Sequence, residues 1–164
     1  MTDRSRRPSP PKRTTPLAPD ERQSLAIDKR LVLRLKREAL NQEIDSDGDL
    51  TVSLRDLVEP ALVAYLDQAE AQRAQRSADR SHSAWLWADD TPLSSPLDTR
   101  TISVSRTMMR GLGTEAALLQ VDRGVTRAEV SVRLIAERVL GCYLDVVEAR
   151  RAAAAGPGKC SDLG

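Results

Sequence analysis

Two stretches of the chain alternate apolar and polar side chains with a period of two. In Arg30-Leu-Val-Leu-Arg-Leu-Lys36, Leu31, Leu33 and Leu35 fall on one face; Arg30, Val32, Arg34 and Lys36 fall on the other. In Thr101-Ile-Ser-Val-Ser-Arg-Thr-Met108, Ile102, Val104 and Met108 face one way, with Thr101, Ser103, Ser105 and Thr107 opposite. Alternation of this kind predicts short, half-buried strands. The first stretch also supports a competing reading, because Val32, Leu35 and Ala39 recur at helical spacing and residues 25–44 then form one helix.

Helical sequence follows each stretch. After the first, Arg37 to Ile44 leads to the breaker Asp45-Ser-Asp-Gly-Asp49, and Ser53-Leu-Arg-Asp56 matches a capping box. The helix it opens carries Leu54, Leu57, Val58, Ala61, Leu62, Tyr65 and Leu66 as one apolar stripe. Pro60 lies within that run, where it removes a hydrogen bond and predicts a kink. After the second stretch come Ala116 to Leu119, the break Arg123-Gly-Val125 and a second capping box, Thr126-Arg-Ala-Glu129. Gly111 and Gly113 are expected to interrupt the helix before that break. The final helix carries Val130, Leu134, Val139, Leu140 and Leu144. Leu35 precedes Ser53 by the same 18 positions that separate Met108 from Thr126, and Ala-Leu-Val-Ala-Tyr-Leu-Asp67 echoes Val-Leu-Gly-Cys-Tyr-Leu-Asp145. The layout reads as an internal duplication with a slightly longer second closing helix.

The flanks set the boundaries. Residues 1–23, with Pro8, Pro10, Pro11, Pro16 and Pro19 among basic and hydroxyl side chains, read as a disordered basic arm. Units at 24–76 and 98–150 are joined by a Ser- and Pro-containing linker at 77–97, and 151–164 reads as a frayed tail. Trp85 and Trp87 in the linker are expected to anchor it locally. The formal net charge of +1 conceals an asymmetry: residues 1–16 carry a net +4, which leaves −3 on the rest. Such an arm suits polyanions or acidic partner surfaces.

Composition narrows the chemistry. Aromatics make up 2% of the chain and Phe is absent, so the core must be built from Leu, Val, Ile and Ala, and a ring-walled pocket is disfavoured. The single histidine, His82, lies in the linker and gives histidine-based catalysis or metal binding little to work with. Gly111-Leu-Gly-Thr-Glu-Ala116 matches a dinucleotide fingerprint, but only 48 residues follow it, too few for the required sheet. No nucleophile–base pair is visible, so neither an enzyme nor a cofactor is expected. Cys142, in an apolar run, is expected in the core; with Cys160 it forms no disulfide framework. With no leader-like apolar segment and no run of transmembrane length, a cytoplasmic protein is expected.

Asp45-Ser-Asp-Gly-Asp-Leu-Thr-Val-Ser-Leu-Arg-Asp56 places Asp45, Asp47, Asp49 and Asp56 at calcium-loop spacing. Leu50 stands where that loop requires Gly, and Asp56 replaces the longer Glu. A helical scaffold or calcium-binding protein using residues 45–56 is the alternative reading of the chain.

A strand, a helix, a tight turn and a capped second helix, given twice, resemble the ribbon-helix-helix family of DNA-binding proteins. The strand-to-cap spacing and the Val52-Ser-Leu-Arg-Asp-Leu-Val58 helix start carry the resemblance. It implies a mainly α fold of two ribbon-helix-helix-like units, each a short strand and two helices, with disordered termini. It also implies that paired strands read the DNA major groove. The outward residues would be Arg30, Val32, Arg34 and Lys36 in the first unit and Thr101, Ser103 and Ser105 in the second. Helix starts at Ser53 and Thr126 would meet phosphates. Function is then sequence-specific double-stranded DNA binding, as a centromere-binding partition factor or a small transcriptional repressor, on repeated or palindromic sites. In partition relatives a basic arm engages a Walker-type ATPase, which makes Arg6, Arg7 and Arg13 the candidate contacts. Self-association is expected unless the two units pair within one chain.

Overall fold

The structure, a computed structural model, describes residues 22–76, 98–124, 126–127 and 129–156. The arm with Arg6, Arg7 and Arg13, the joining stretch 77–97 with His82, Trp85 and Trp87, and Cys160 lie outside the described residues. The elements run β1 (Arg22–Asp28), α1 (Lys29–Asp45), α2 (Leu54–Arg76), β2 (Thr99–Ser105), α3 (Arg106–Arg123) and α4 (Val132–Ala154). The described residues are thus mainly helical, with one two-stranded sheet.

The first strand is not where the alternation placed it. Residues 30–36 form the opening turns of α1, and β1 lies just before them, where Leu25 and Ile27 alternate with Ser24 and Ala26. Two physical causes decide this. The Asp28 carboxylate accepts the Arg30 backbone N–H at 2.7 Å and caps a helix there. The stretch beyond it is also rich in strong helix formers, and it buries Val32, Leu35 and Ala39 on one side. Leu33, assigned inward by the period of two, is more than half exposed at 56%. The second strand is shifted too: it ends at Ser105, whose side chain accepts the Met108 backbone N–H, so Met108 belongs to α3.

β1 and β2 pair antiparallel, with Leu25 opposite Ile102 and Ser24 opposite Ser103. Leu25, Ile27, Ile102 and Val104 point into a single apolar core shared with all four helices, and Leu35, Leu62, Leu112, Ile135, Leu140 and Leu144 are fully buried in it.

The two halves repeat the same plan. Arg22 to Thr99 is a shift of 77 positions, which carries β1 onto β2 and α1 onto α3; Leu54 to Val132 is 78, which carries α2 onto α4. α2 and α4 have the same 23 residues, so the closing helices are equal in length. Equivalence therefore sets Ser53 against Ser131, the N-cap of α4, rather than against Thr126. Thr126 does bond to Glu129, its N–H and hydroxyl both donating to the carboxylate at 2.8 and 2.9 Å while the Glu129 N–H reaches the Thr126 carbonyl at 3.0 Å, but this fastens the turn ahead of that helix. The chain remains helical to Ala154, into the expected tail.

Packing crosses between the halves. Arg151 of α4 reaches the buried Glu38 of α1 at 3.1 Å, and Arg73 of α2 pairs with the buried Glu115 of α3, its counterpart. Neither α2 nor α3 breaks at its suspect residues: α2 runs through Pro60, and α3 through Gly111 and Gly113. Gly111 is needed for close approach, because a Cβ there would lie 2.9 Å from Leu66 Cδ1. α3 ends on Gly124, which adopts the left-handed conformation at φ 63°.

Candidate nucleic-acid interface

Register and pleat define the outer face of the ribbon. With Leu25, Ile27, Ile102 and Val104 turned inward, Ser24, Ala26, Thr101 and Ser103 point away from the helices, and all four are exposed. Arg22, also exposed, stands opposite Ser105 at one end. The outer face is therefore short, polar and studded with small side chains.

Basic groups frame this face. A hollow of about 440 Å³ opens beside β2, walled by Lys29, Lys36, Leu54, Arg100 and Thr101. A smaller one, about 200 Å³, adjoins it between Leu54, Arg55, Thr101 and Ser103. Lys29 is tied to Asp98 at 3.4 Å. Among the described residues Lys36 and Arg100 form no ion pair. Leu54 begins α2, so the helix N-terminus, with its partial positive charge, borders both hollows. Ser53 caps it through a reciprocal box: Asp56 accepts the Ser53 N–H at 2.8 Å, and the Asp56 N–H reaches Ser53 Oγ at 3.3 Å. The Ser53 hydroxyl and backbone hydrogen bonds hold the Asp56 carboxyl below its ordinary pKa.

Of the residues assigned to the ribbon from the sequence, Thr101 and Ser103 occupy it. Ser105 ends β2, half-buried, with its backbone N–H donated to Glu59 at 2.9 Å. Arg30, Val32, Arg34 and Lys36 are displaced to α1. Val32 is in the core. Arg34 turns to α4, where its guanidinium meets Asp145 at 2.6 Å and Glu148 at 2.8 Å; those bonds, the one to Glu148 above all, raise its pKa and lower that of Glu148. Arg30 is exposed on α1. Lys36 comes back beside the ribbon by another route, as a wall of the larger hollow. Thr126 lies in the turn before α4 and not at a helix start.

Sequence reasoning missed Arg22, Ser24, Ala26, Lys29 and Arg100. Their signal was the brief alternation Ser24-Leu-Ala-Ile27 closed by Asp28, a helix cap; the longer leucine alternation beside it obscured that signal.

The acidic loop does not gather its carboxylates. Asp45 turns to Arg151 at 2.5 Å, Asp56 turns back to Ser53, and Asp47 sits in a left-handed turn at φ 53°. Among the described residues no group of three or more His, Cys, Asp or Glu side chains is placed to hold a metal ion. Gly111-Leu-Gly-Thr-Glu-Ala116 lies within α3 and forms no phosphate loop. Cys142, expected in the core, is exposed on α4. No helix among the described residues is long and apolar enough to cross a membrane. Comparison of the chain with protein-family models, curated proteins and solved structures gives no match.

Proposed function

We propose that the chain is a sequence-specific double-stranded DNA-binding protein, with β1–α1–α2 and β2–α3–α4 acting as two ribbon-helix-helix-like units closed within one polypeptide. The observation that carries this reading is the exposed outer face of the β1–β2 ribbon, polar on both strands and backed on its inner side by every helix. A two-stranded ribbon fits the major groove, which is about 12 Å wide. Ser24, Thr101 and Ser103 then offer hydroxyls to base edges, and Arg22 a bidentate donor at one end. Lys36, Arg100 and the start of α2 offer positive potential to a phosphate on the flank. Residues 1–16 add further charge for the backbone. A partition factor working with a Walker-type ATPase and a small repressor share this binding chemistry.

The test is selection of bound duplexes from a randomised pool, then titration of the winning sequence by fluorescence anisotropy. Replacing Ser24, Thr101 and Ser103 with Ala should weaken the selected duplex by tenfold or more, leave random duplex nearly unaffected and leave the unfolding temperature in place. No enrichment in the pool, or equal affinity after the triple substitution, overturns the ribbon reading.

A further inference from the structure

The pseudo-symmetric halves differ at one groove. Between α1 and α4, Arg34 fills the space and bonds to Asp145 and Glu148. The 77- and 78-residue shifts carry those three positions onto Gly111, Asp67 and Glu70. The second half thus keeps both acids and lacks the arginine. What remains between α2 and α3 is an open groove of about 770 Å³ with Val63, Leu66 and Leu118 along it and Asp67 and Glu70 on its rim.

Its other two acids are already engaged. Glu115 holds Tyr65 and Arg73, and Glu59 holds Arg55 and the Ser105 N–H. Arg110 also lines the groove, yet among the described residues neither Asp67 nor Glu70 forms an ion pair. The Arg34 site in the other half shows that two acids so spaced on the closing helix accept a guanidinium.

We infer that the N-terminal arm, residues 1–21, docks in this α2–α3 groove and lays Arg13 between Asp67 and Glu70. Where the arm joins the fold supports it: Arg22 pairs with Ser105, which lines the groove and binds Glu59 at its near end. The reach is sufficient. Arg13 and Arg22 are nine residue steps apart, about 28 Å at a polyproline-like rise. Glu59 to Glu70 along α2 is about 17 Å. Charge selects the arm over the two other segments outside the described residues, since 77–97 hold Asp79, Asp89 and Asp90 against Arg80, and 157–164 set Lys159 against Asp162. Leu17, between Arg13 and the strand, is the arm's one leucine, a side chain suited to the apolar wall that Val63 and Leu118 form. Docking and phosphate binding would compete for one arginine, but the docking itself does not depend on the DNA reading.

The experiment uses the full chain, labelled with ¹⁵N, and measures heteronuclear NOEs at Lys12, Arg13, Thr14 and Thr15. At low salt these amides should approach the rigidity of β1. They should fall to free-chain values in Asp67→Asn/Glu70→Gln, in Arg13→Gln, and at about 0.5 M salt, where screening acts within roughly 4 Å. Arg13→Gln lies outside the folded elements, so it remains decisive if the double variant fails to fold. Free-chain values in the wild type overturn the proposal, as do values unchanged in Arg13→Gln. Loss of the signature on tenfold dilution also overturns it, assigning the groove to the arm of a second copy.

Discussion

Glu137 of α4 accepts the backbone N–H of Asp28 at 2.7 Å and so ties the β1–α1 junction to the opposite half of the chain. Its counterpart, Glu59 of α2, does the same for Ser105 at 2.9 Å. The two differ in burial: the Glu137 side chain is 1% exposed and that of Glu59 20%. Truncating Glu137 to Ala strands a buried N–H and leaves Arg133 without its partner, and should cost about 3 kcal/mol. The same change at Glu59 should cost about 1 kcal/mol. Urea unfolding of the two variants checks the order.

Arg34→Ala should lower stability by about 1 kcal/mol, because the ion pairs it makes with Asp145 and Glu148 are partly exposed. It should leave affinity for a selected duplex unchanged, since Arg34 points to α4 and away from the ribbon. The ribbon-helix-helix resemblance, with Arg34 outward on a strand, implies the reverse, a loss of DNA binding at constant stability. Parallel unfolding and anisotropy measurements separate the two outcomes.

Two glycines should respond with opposite sign. Gly113 has open space around its missing Cβ within α3, so Gly113→Ala should stabilise by about 0.5–1 kcal/mol through helix propensity. Gly124 closes the same helix at φ 63°, so Gly124→Ala should destabilise by about 1 kcal/mol. Thermal unfolding of the pair tests the assignment of the α3 terminus.

Acid should loosen the start of α2, the turn ahead of α4 and the α1–α4 bridge together. Hydrogen bonds from Ser53 to Asp56, from Thr126 to Glu129 and from Arg34 to Glu148 hold all three carboxyls below their ordinary pKa. A carboxyl depressed in the fold contributes stability above its unfolded pKa, about 4, and loses it as pH falls through the folded value. Unfolding temperature should therefore decline below about pH 4, and Asp56→Asn with Glu148→Gln should flatten that decline.

Lys36→Ala with Arg100→Ala should weaken all duplexes alike and reduce the salt slope of log K by about 0.9 for each phosphate no longer neutralised. An unchanged slope would remove the larger hollow from the interface.

Much of this architecture is legible from the chain alone. The apolar stripe of α2, the inward Ile102 and Val104, the Ser53 cap and the tyrosine echo at Tyr65 and Tyr143 all stand in the sequence. The failures share a cause. Leu31, Leu33 and Leu35 satisfy a period of two, yet Leu31 and Leu35 lie one helical turn apart, so the same letters suit a helix once Asp28 caps it. Capping boxes misled in the second half, where Thr126 and Glu129 stabilise a turn and the shorter signal of Ser131 begins the helix. The cross-half pairs, Glu38 with Arg151 and Glu115 with Arg73, are separated by dozens of residues, and no local pattern announces them.

The ribbon joins two strands of unlike sequence in one polypeptide. Its outer face runs from Arg22 beside Ser105 at one end to Asp28 beside Thr99 at the other. A pair of identical strands presents the same surface after half a turn; this one does not. A duplex bound there would meet an exposed arginine at one end; at the other, Asp28 is buried and its carboxylate is turned into the cap of α1. The surface has a direction, and the sequences it prefers should be non-palindromic and bound in one orientation.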